Sequence, residues 1–146
     1  MLLLLSLPAR AETPTEWINL GARVHGAFGA FIPTGIRIGL DAKERIKADH
    51  RGLTVICPCI ADGVMLATNA SPGQGTLVIA PEKAPVGFLA IVIVRNRKTG
   101  EGFRYTVADA WLPKVIDWNK TLDSMGRFDA AMNAEELFEV TSAPAL

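Results

Sequence analysis

The fold is decided by the most apolar stretch of the chain, residues 88–94, which read Phe-Leu-Ala-Ile-Val-Ile-Val. Continuous apolar and β-branched character over this length predicts a central strand covered on both faces. Residues 103–107 alternate between apolar and polar side chains, which is typical of a partner strand. The polar residues 98–102, which include Thr99-Gly100, lie between the two stretches and predict a hairpin turn.

The segments on either side of this hairpin predict a mixed set of helices and strands. Thr13 before Pro14 is typical of a helix start, and residues 33–48 carry a broad apolar face. The further predicted elements are a strand at 53–57, a short helix ending near Asn69, a strand at 76–80, a helix at 109–118, and a last helix after the capping-box pattern Asn133–Glu136. This order predicts a two-layer α+β domain, in which helices pack on one side of a small mixed β-sheet.

Size and charge limit the classes of protein that fit. The chain has 146 residues, 49% of them apolar, which suits one well-packed domain and not a disordered protein. The 15 basic residues balance the 15 acidic residues, so no long-range field favours nucleic acid or an anionic membrane surface. We therefore expect no nucleic-acid partner.

The N-terminus predicts export. Residues 2–7 are apolar except for Ser6 but too few to span a bilayer, and Ala9-Arg10-Ala11 has the A-x-A form that signal peptidase cleaves. A basic segment before the leucines is missing, which fits a truncated start or an internal Met codon. We expect residues 1–11 to be a signal peptide and residues 12–146 to form one periplasmic or secreted domain, free of the membrane after cleavage.

The residues with chemical capability are few. His25 follows the first predicted helix, and Cys57, Cys59 and Asp62 lie where a strand gives way to a helix. If that helix begins near Cys59, the thiol and the Asp62 carboxylate share one face, and a histidine from elsewhere would complete a three-ligand metal site. The alternatives are that His25 is an ordinary polar residue and that Asp62 only caps the helix. Export permits a disulfide, but the small Cys-Pro-Cys ring disfavours one, so we expect one thiol in the core and one facing a cleft.

Two longer motifs resemble those of a known family. Residues 25–37, His-Gly-Ala-Phe-Gly-Ala-Phe-Ile-Pro-Thr-Gly-Ile-Arg, resemble the pattern H-G-H-x-C-P-G-x-x-x-G-x-R. Residues 59–77 resemble C-x-x-D-A-x-Q-x-x-T-G-C-T-x-G-K-G-N-L without a gap. Both patterns belong to the FmdE family (FwdE-like proteins), which is named for formylmethanofuran dehydrogenase, and the resemblance extends over about residues 17–140. It implies an α+β fold related to the catalytic domain of glyceraldehyde-3-phosphate dehydrogenase, and one bound transition-metal ion, usually zinc.

The departures from the family pattern reduce its metal site. Five residues depart from the family pattern at positions where it has a ligand or polar group: Ala27, Gly29, Met65, Ala70 and Gln74. The metal ligands that the resemblance still implies are His25, Cys59 and Asp62, with Cys57 as an extra thiol. The same resemblance, with the apolar replacements, implies a ligand pocket formed by Thr68, Asn69, Phe28 and Met65.

Three functional hypotheses remain open on the sequence. The first is an exported accessory protein that binds a metal ion or a small ligand in a reduced site, and it predicts an open cleft. The second is a small enzyme that uses His25 and Asp62 for acid–base chemistry, and it predicts a closed pocket. The third is a non-binding interaction domain in which Cys59 is buried and inert. The expected partner is a small ligand or a metal ion, the expected cofactor is zinc or none, and a homodimer is a candidate assembly.

Overall fold

A computed structural model describes residues 11–48 and 51–144. The predicted signal peptide lies outside the described residues, except for Ala11. In chain order the elements are α1 (Pro14–His25), α2 (Phe31–Ile46), β1 (Arg51–Ile56), α3 (Pro58–Thr68), β2 (Leu77–Ile79), β3 (Phe88–Asn96), β4 (Gly102–Ala108), a 3-10 turn (Asp109–Trp111), α4 (Leu112–Thr121), α5 (Ser124–Asn133) and β5 (Glu139–Ala143).

The five strands form one open mixed sheet in the order β2-β1-β3-β4-β5. β1 and β2 are parallel, and the other neighbours are antiparallel, with Val92 of β3 opposite both Val55 and Tyr105. The segment that decides the fold therefore lies at the centre of the sheet, and its hairpin with β4 is as predicted. The α+β fold class is confirmed.

Helices α2 and α3 cover one face of this sheet. α2 contacts β3 and β4, α3 contacts β1 and β2, and α1 and α5 pack behind them. The buried residues of this interface include Ile38, Val64 and Val92. On the opposite face Ile93 is only partly buried and borders an open groove with Thr54. The expectation that residues 88–94 are covered on both faces therefore holds at Ile91, which is buried, and is wrong at Ile93, where the second face is partly uncovered.

The close approach of α2 to α3 depends on two glycines. A Cβ atom on Gly35 would clash with the backbone oxygen of Ile60, and one on Gly63 would clash with that of Ile32. Only a residue without a side chain allows the two backbones to meet at this distance. This contact fixes the position of Asp62, the residue before Gly63, relative to the rest of the helical layer.

Two local expectations are wrong. α3 begins at Pro58, so Asp62 lies inside the helix and does not cap its start. The capping-box pattern at residues 133–136 does not begin a helix, because α5 ends at Asn133 and Glu136 takes a left-handed backbone with φ 55°. The following residues form β5, which completes the sheet against β4.

An imidazole–carboxylate pair on an open surface

His25 and Asp62 form the central pair of the candidate site. His25 is the last residue of α1, which ends because Gly26 takes the left-handed conformation at φ 91°. Its Nδ1 lies 2.6 Å from Oδ2 of Asp62 on α3, although the two residues are far apart in sequence. The side chains are 42% and 33% exposed, so the pair is open to solvent. The predicted meeting of these two groups is found in the structure.

This geometry gives the imidazole a defined chemistry. When His25 donates from Nδ1 to the carboxylate, its Nε2 is an acceptor in the neutral ring and a donor in the protonated ring. Within the described residues Nε2 has no hydrogen-bond partner. The carboxylate thus orients the ring, while the second nitrogen keeps its full capacity for a ligand.

The loop after His25 is held by residues that the sequence analysis missed. Asn119 Oδ1 accepts a hydrogen bond of 2.8 Å from the backbone N–H of Ala30. Arg127 donates from Nη1 to the backbone oxygen of Phe28 at 3.0 Å and from Nη2 to that of Asn119 at 2.7 Å. These bonds fix the glycine-rich segment between α1 and α2, and with it the end of α1. A single asparagine and a single arginine give no recognisable sequence signal for this role.

The two cysteines lie at the start of α3. Cys59 is exposed in the first turn of the helix, whereas Cys57 is half-buried and packs against the main core. Burial raises the pKa of the Cys57 thiol, and the neighbouring Cys59 thiol contributes to the increase. The expected division between one core-facing and one outward-facing thiol is therefore present. Cys57 has a strained backbone at φ 103°, which brings the chain from β1 into Pro58.

The described donors do not fit the three-ligand zinc site that the resemblance implies. No group of three or more His, Cys, Asp and Glu side chains within residues 11–48 and 51–144 is arranged to hold a metal ion. The structure joins His25 to Asp62 and brings Cys57 into contact with Cys59. Structural and catalytic zinc sites use at least three protein ligands. The two donor groups of either pair alone are therefore too few to form a zinc site.

The four predicted pocket residues are distributed over several places. Phe28 is buried in a smaller core with Trp17, and Met65 packs against the main core. Thr68 is fully buried, and its hydroxyl donates to the backbone oxygen of Val64 at 2.7 Å. Thr68 and Asn69 also border a small cavity of about 190 Å³ at the other end of α3 from the cysteines. These positions do not place the four side chains around one common cavity.

The fold and this pair define a class: a small α+β domain with an open imidazole–carboxylate site at a helix–helix junction. None of the helices within the described ranges is long and apolar enough to cross a membrane. The family described as FmdE, molybdenum formylmethanofuran dehydrogenase operon, matches residues 24–144. The chain belongs to this family, and the resemblance seen in its two motifs is confirmed. A search of curated proteins finds no significant match.

Proposed function

We propose that this FmdE-family protein is an exported accessory protein that binds a small ligand through the His25–Asp62 pair. The observation that carries the proposal is the 2.6 Å bond between Nδ1 and Oδ2, which leaves Nε2 without a partner among the described residues. The ligand presents a hydrogen-bond donor or acceptor, or a metal ion, to this nitrogen. Cys59, one turn earlier on α3, is the nearest thiol along that helix.

The open position of the pair favours binding over catalysis. An enzyme that used His25 and Asp62 as acid and base would gain from a water-excluded pocket, because low polarity strengthens both proton transfer and charge stabilisation. Here the two side chains are 42% and 33% exposed. The exposed Cys59 thiol argues against the third hypothesis, since an inert pseudo-site requires this thiol to be buried.

The family description supports an accessory role. It connects the family with the operon of molybdenum formylmethanofuran dehydrogenase. We propose a ligand-binding accessory role outside the dehydrogenase complex, because the proposed export separates the chain from cytoplasmic partners. Export itself rests on the A-x-A pattern before Glu12. Cleavage before Glu12 would keep the capping box of α1, because both of its residues, Thr13 and Glu16, follow the cleavage position.

The test uses protein isolated from its own cells without an affinity tag. Native mass spectrometry of the wild type is expected to show a stoichiometric mass above that of the chain, and N-terminal sequencing is expected to begin at Glu12. His25→Gln and Asp62→Asn are expected to lose the additional mass. Elemental analysis of the same sample then distinguishes a metal ion from an organic ligand.

A matched control is Asp129→Asn, which removes one exposed carboxylate on α5 and leaves the His25–Asp62 pair intact. This variant is expected to keep the additional mass. If the wild type carries no ligand, or if Asp62→Asn keeps it as well as Asp129→Asn does, the proposed function is wrong.

A further inference from the structure

A second candidate site lies on α4 and the end of α5, and the His25–Asp62 proposal does not use it. An open groove of about 640 Å³ runs between these helices and the 3-10 turn. Its aromatic walls are Trp111 and Trp118, whose ring centroids lie 6.0 Å apart at an interplanar angle of 49°. The volume lies within the range of small-molecule sites, although the groove is open to solvent.

The ring of Trp111 is anchored by a hydrogen bond. The indole N–H of Trp111 donates a hydrogen bond of 3.2 Å to the backbone oxygen of Glu136, and both tryptophans are only partly buried. The hydrogen bond therefore holds the orientation of the Trp111 ring, and both rings keep accessible surface. A preformed aromatic wall costs little ordering when a ligand stacks on it.

The charge of the groove favours a cation. Asp117 and Glu135 border it, and within the described residues neither carboxylate has a hydrogen-bond or ion-pair partner. Among those same residues Lys114 is the only basic one in the groove lining, which leaves one negative charge in excess. One further cation lies close by, since Arg37 donates to the backbone oxygens of Ala131 and Ala134 at the end of α5, but Arg37 is not a lining residue of the groove.

The ring of Trp111 already interacts with a cation from the same chain. The Nζ atom of Lys114 lies 4.7 Å from the ring centroid, which is a cation–π contact. Lys114 is exposed and its side chain is flexible, so a ligand can displace it without unfolding any element. The contact demonstrates which chemistry the ring face accepts.

We propose that the groove between Trp111 and Trp118 binds a small organic ammonium ion, with its charge over an indole ring and near Asp117 and Glu135. Indole rings attract quaternary and primary ammonium groups through the ring quadrupole, and the two carboxylates add Coulombic attraction. Lys114 acts as an internal competitor for the same ring face. A neutral ligand such as a sugar would stack on the rings but would gain nothing from the excess negative charge.

The test is calorimetric titration with choline, with its uncharged carbon isostere (a tert-butyl group in place of the trimethylammonium group) and with glucose. Choline is expected to bind about threefold more tightly than the isostere, which corresponds to one cation–π contact at a solvent-exposed site. Trp118→Leu is expected to weaken choline binding by a similar factor. Equal affinity for choline and the isostere, no choline binding at all, or tighter binding of glucose would each overturn the proposal.

Substitutions that remove a single charge separate a loss of choline binding from a loss of folding. Asp117→Asn is expected to weaken choline binding several-fold, whereas Asp129→Asn, the same change on α5 outside the groove lining, leaves it nearly unchanged. Lys114→Gln is expected to strengthen binding several-fold because the competitor is removed, and Lys120→Gln on the same helix is the matched control. If each groove variant equals its control, only the net charge acts and the proposal is wrong.

Discussion

Two carboxylates of this protein are equally exposed and yet differ in what they can do. Asp41 on α2 and Asp62 on α3 each have 33% of their side-chain surface exposed, and each is paired with a basic side chain. Oδ2 of Asp41 accepts a hydrogen bond from the Tyr105 hydroxyl at 2.5 Å and another from Arg45 Nε at 3.1 Å. Oδ1 of Asp41 accepts a hydrogen bond from Arg45 Nη2 at 3.3 Å. The Asp62 carboxylate is bonded only to His25 in the part of the chain that the structure describes.

The difference lies in how fully the hydrogen-bonding groups are used. Tyr105 is completely buried on β4, and burial followed by the bond to Asp41 raises the pKa of its hydroxyl, so it remains a donor. The Asp41–Arg45–Tyr105 group therefore connects α2 to the sheet and is structural. The His25–Asp62 pair keeps a ring nitrogen available at the surface. Exposure alone does not separate a structural pair from a binding pair, but the count of remaining donors and acceptors does.

The largest expected effect is on the contact between α2, which carries Asp41, and α3, which carries Asp62. Gly63→Ala would place a Cβ atom against the backbone of α2 and push α3 away from it, which we expect to cost roughly 3 kcal/mol of unfolding free energy. Urea denaturation followed by circular dichroism measures the loss. The control is Gly73→Ala, where the nearest atom to a new Cβ is the Ser71 hydroxyl oxygen at 3.9 Å. A Gly63→Ala protein as stable as this control would contradict the close α2–α3 contact.

Removal of the Tyr105 hydroxyl breaks only the structural group. Tyr105→Phe is expected to cost about 1–2 kcal/mol, since a buried donor to a carboxylate is lost while the ring stays packed. Asp41→Asn should cost a similar amount, and the double variant should cost less than the sum of the two, as expected for residues in one network. Fully additive losses in urea denaturation would show that the two groups do not interact.

The equivalent change in the binding pair should hardly affect stability. Asp62→Asn is expected to lower the unfolding free energy by less than about 1 kcal/mol, because water solvates the exposed His25 side chain when the carboxylate is removed. Denaturation in low and high salt measures this directly. A loss as large as that of Tyr105→Phe would mean that Asp62 is a structural residue, and the contrast between the two carboxylates would disappear.

The smallest expected effect is a pH dependence from Cys57. Because burial raises the pKa of this thiol in the native state, the folded protein holds the proton more tightly than the unfolded chain. Its contribution to stability is complete below the ordinary thiol pKa and is lost as the pH rises through the native pKa. We expect a decrease of a few tenths of a kcal/mol between about pH 7 and pH 9, below the range in which Tyr105 titrates in the unfolded chain.

The control for this pH dependence is the neighbouring thiol. Cys59→Ser should keep the decrease, while Cys57→Ser should remove it, with stability followed by urea denaturation at each pH. A decrease that is unchanged in Cys57→Ser would assign it to another group.

The sequence predicts the parts of the fold that have strong local signals. Thr13 and Pro14 begin α1 as expected, and the apolar run at 88–94 is the central strand. The failures occur where tertiary contacts override local preference. The pattern at residues 133–136 has the side chains of a helix start, but the free edge of β4 offers backbone hydrogen bonds that β5 satisfies instead.

The site was only half predictable for a similar reason. The family motifs place His25 and Asp62 in one region, and the structure pairs them. The spacing of Cys59 and Asp62 on one helix is also as expected, since both lie in α3. No sequence pattern reveals the anchoring of the loop by Asn119 and Arg127, nor the groove at Trp111 and Trp118, because each depends on helices that meet only after folding.

The most direct test of the binding role of the His25–Asp62 pair is native mass spectrometry of Asp62→Asn beside Tyr105→Phe, both isolated from their own cells. We expect that Tyr105→Phe, although less stable, keeps the stoichiometric ligand of the wild type, and that Asp62→Asn, although nearly as stable as the wild type, has lost it. Loss of the ligand from Tyr105→Phe with retention in Asp62→Asn would contradict the assignment of the two pairs.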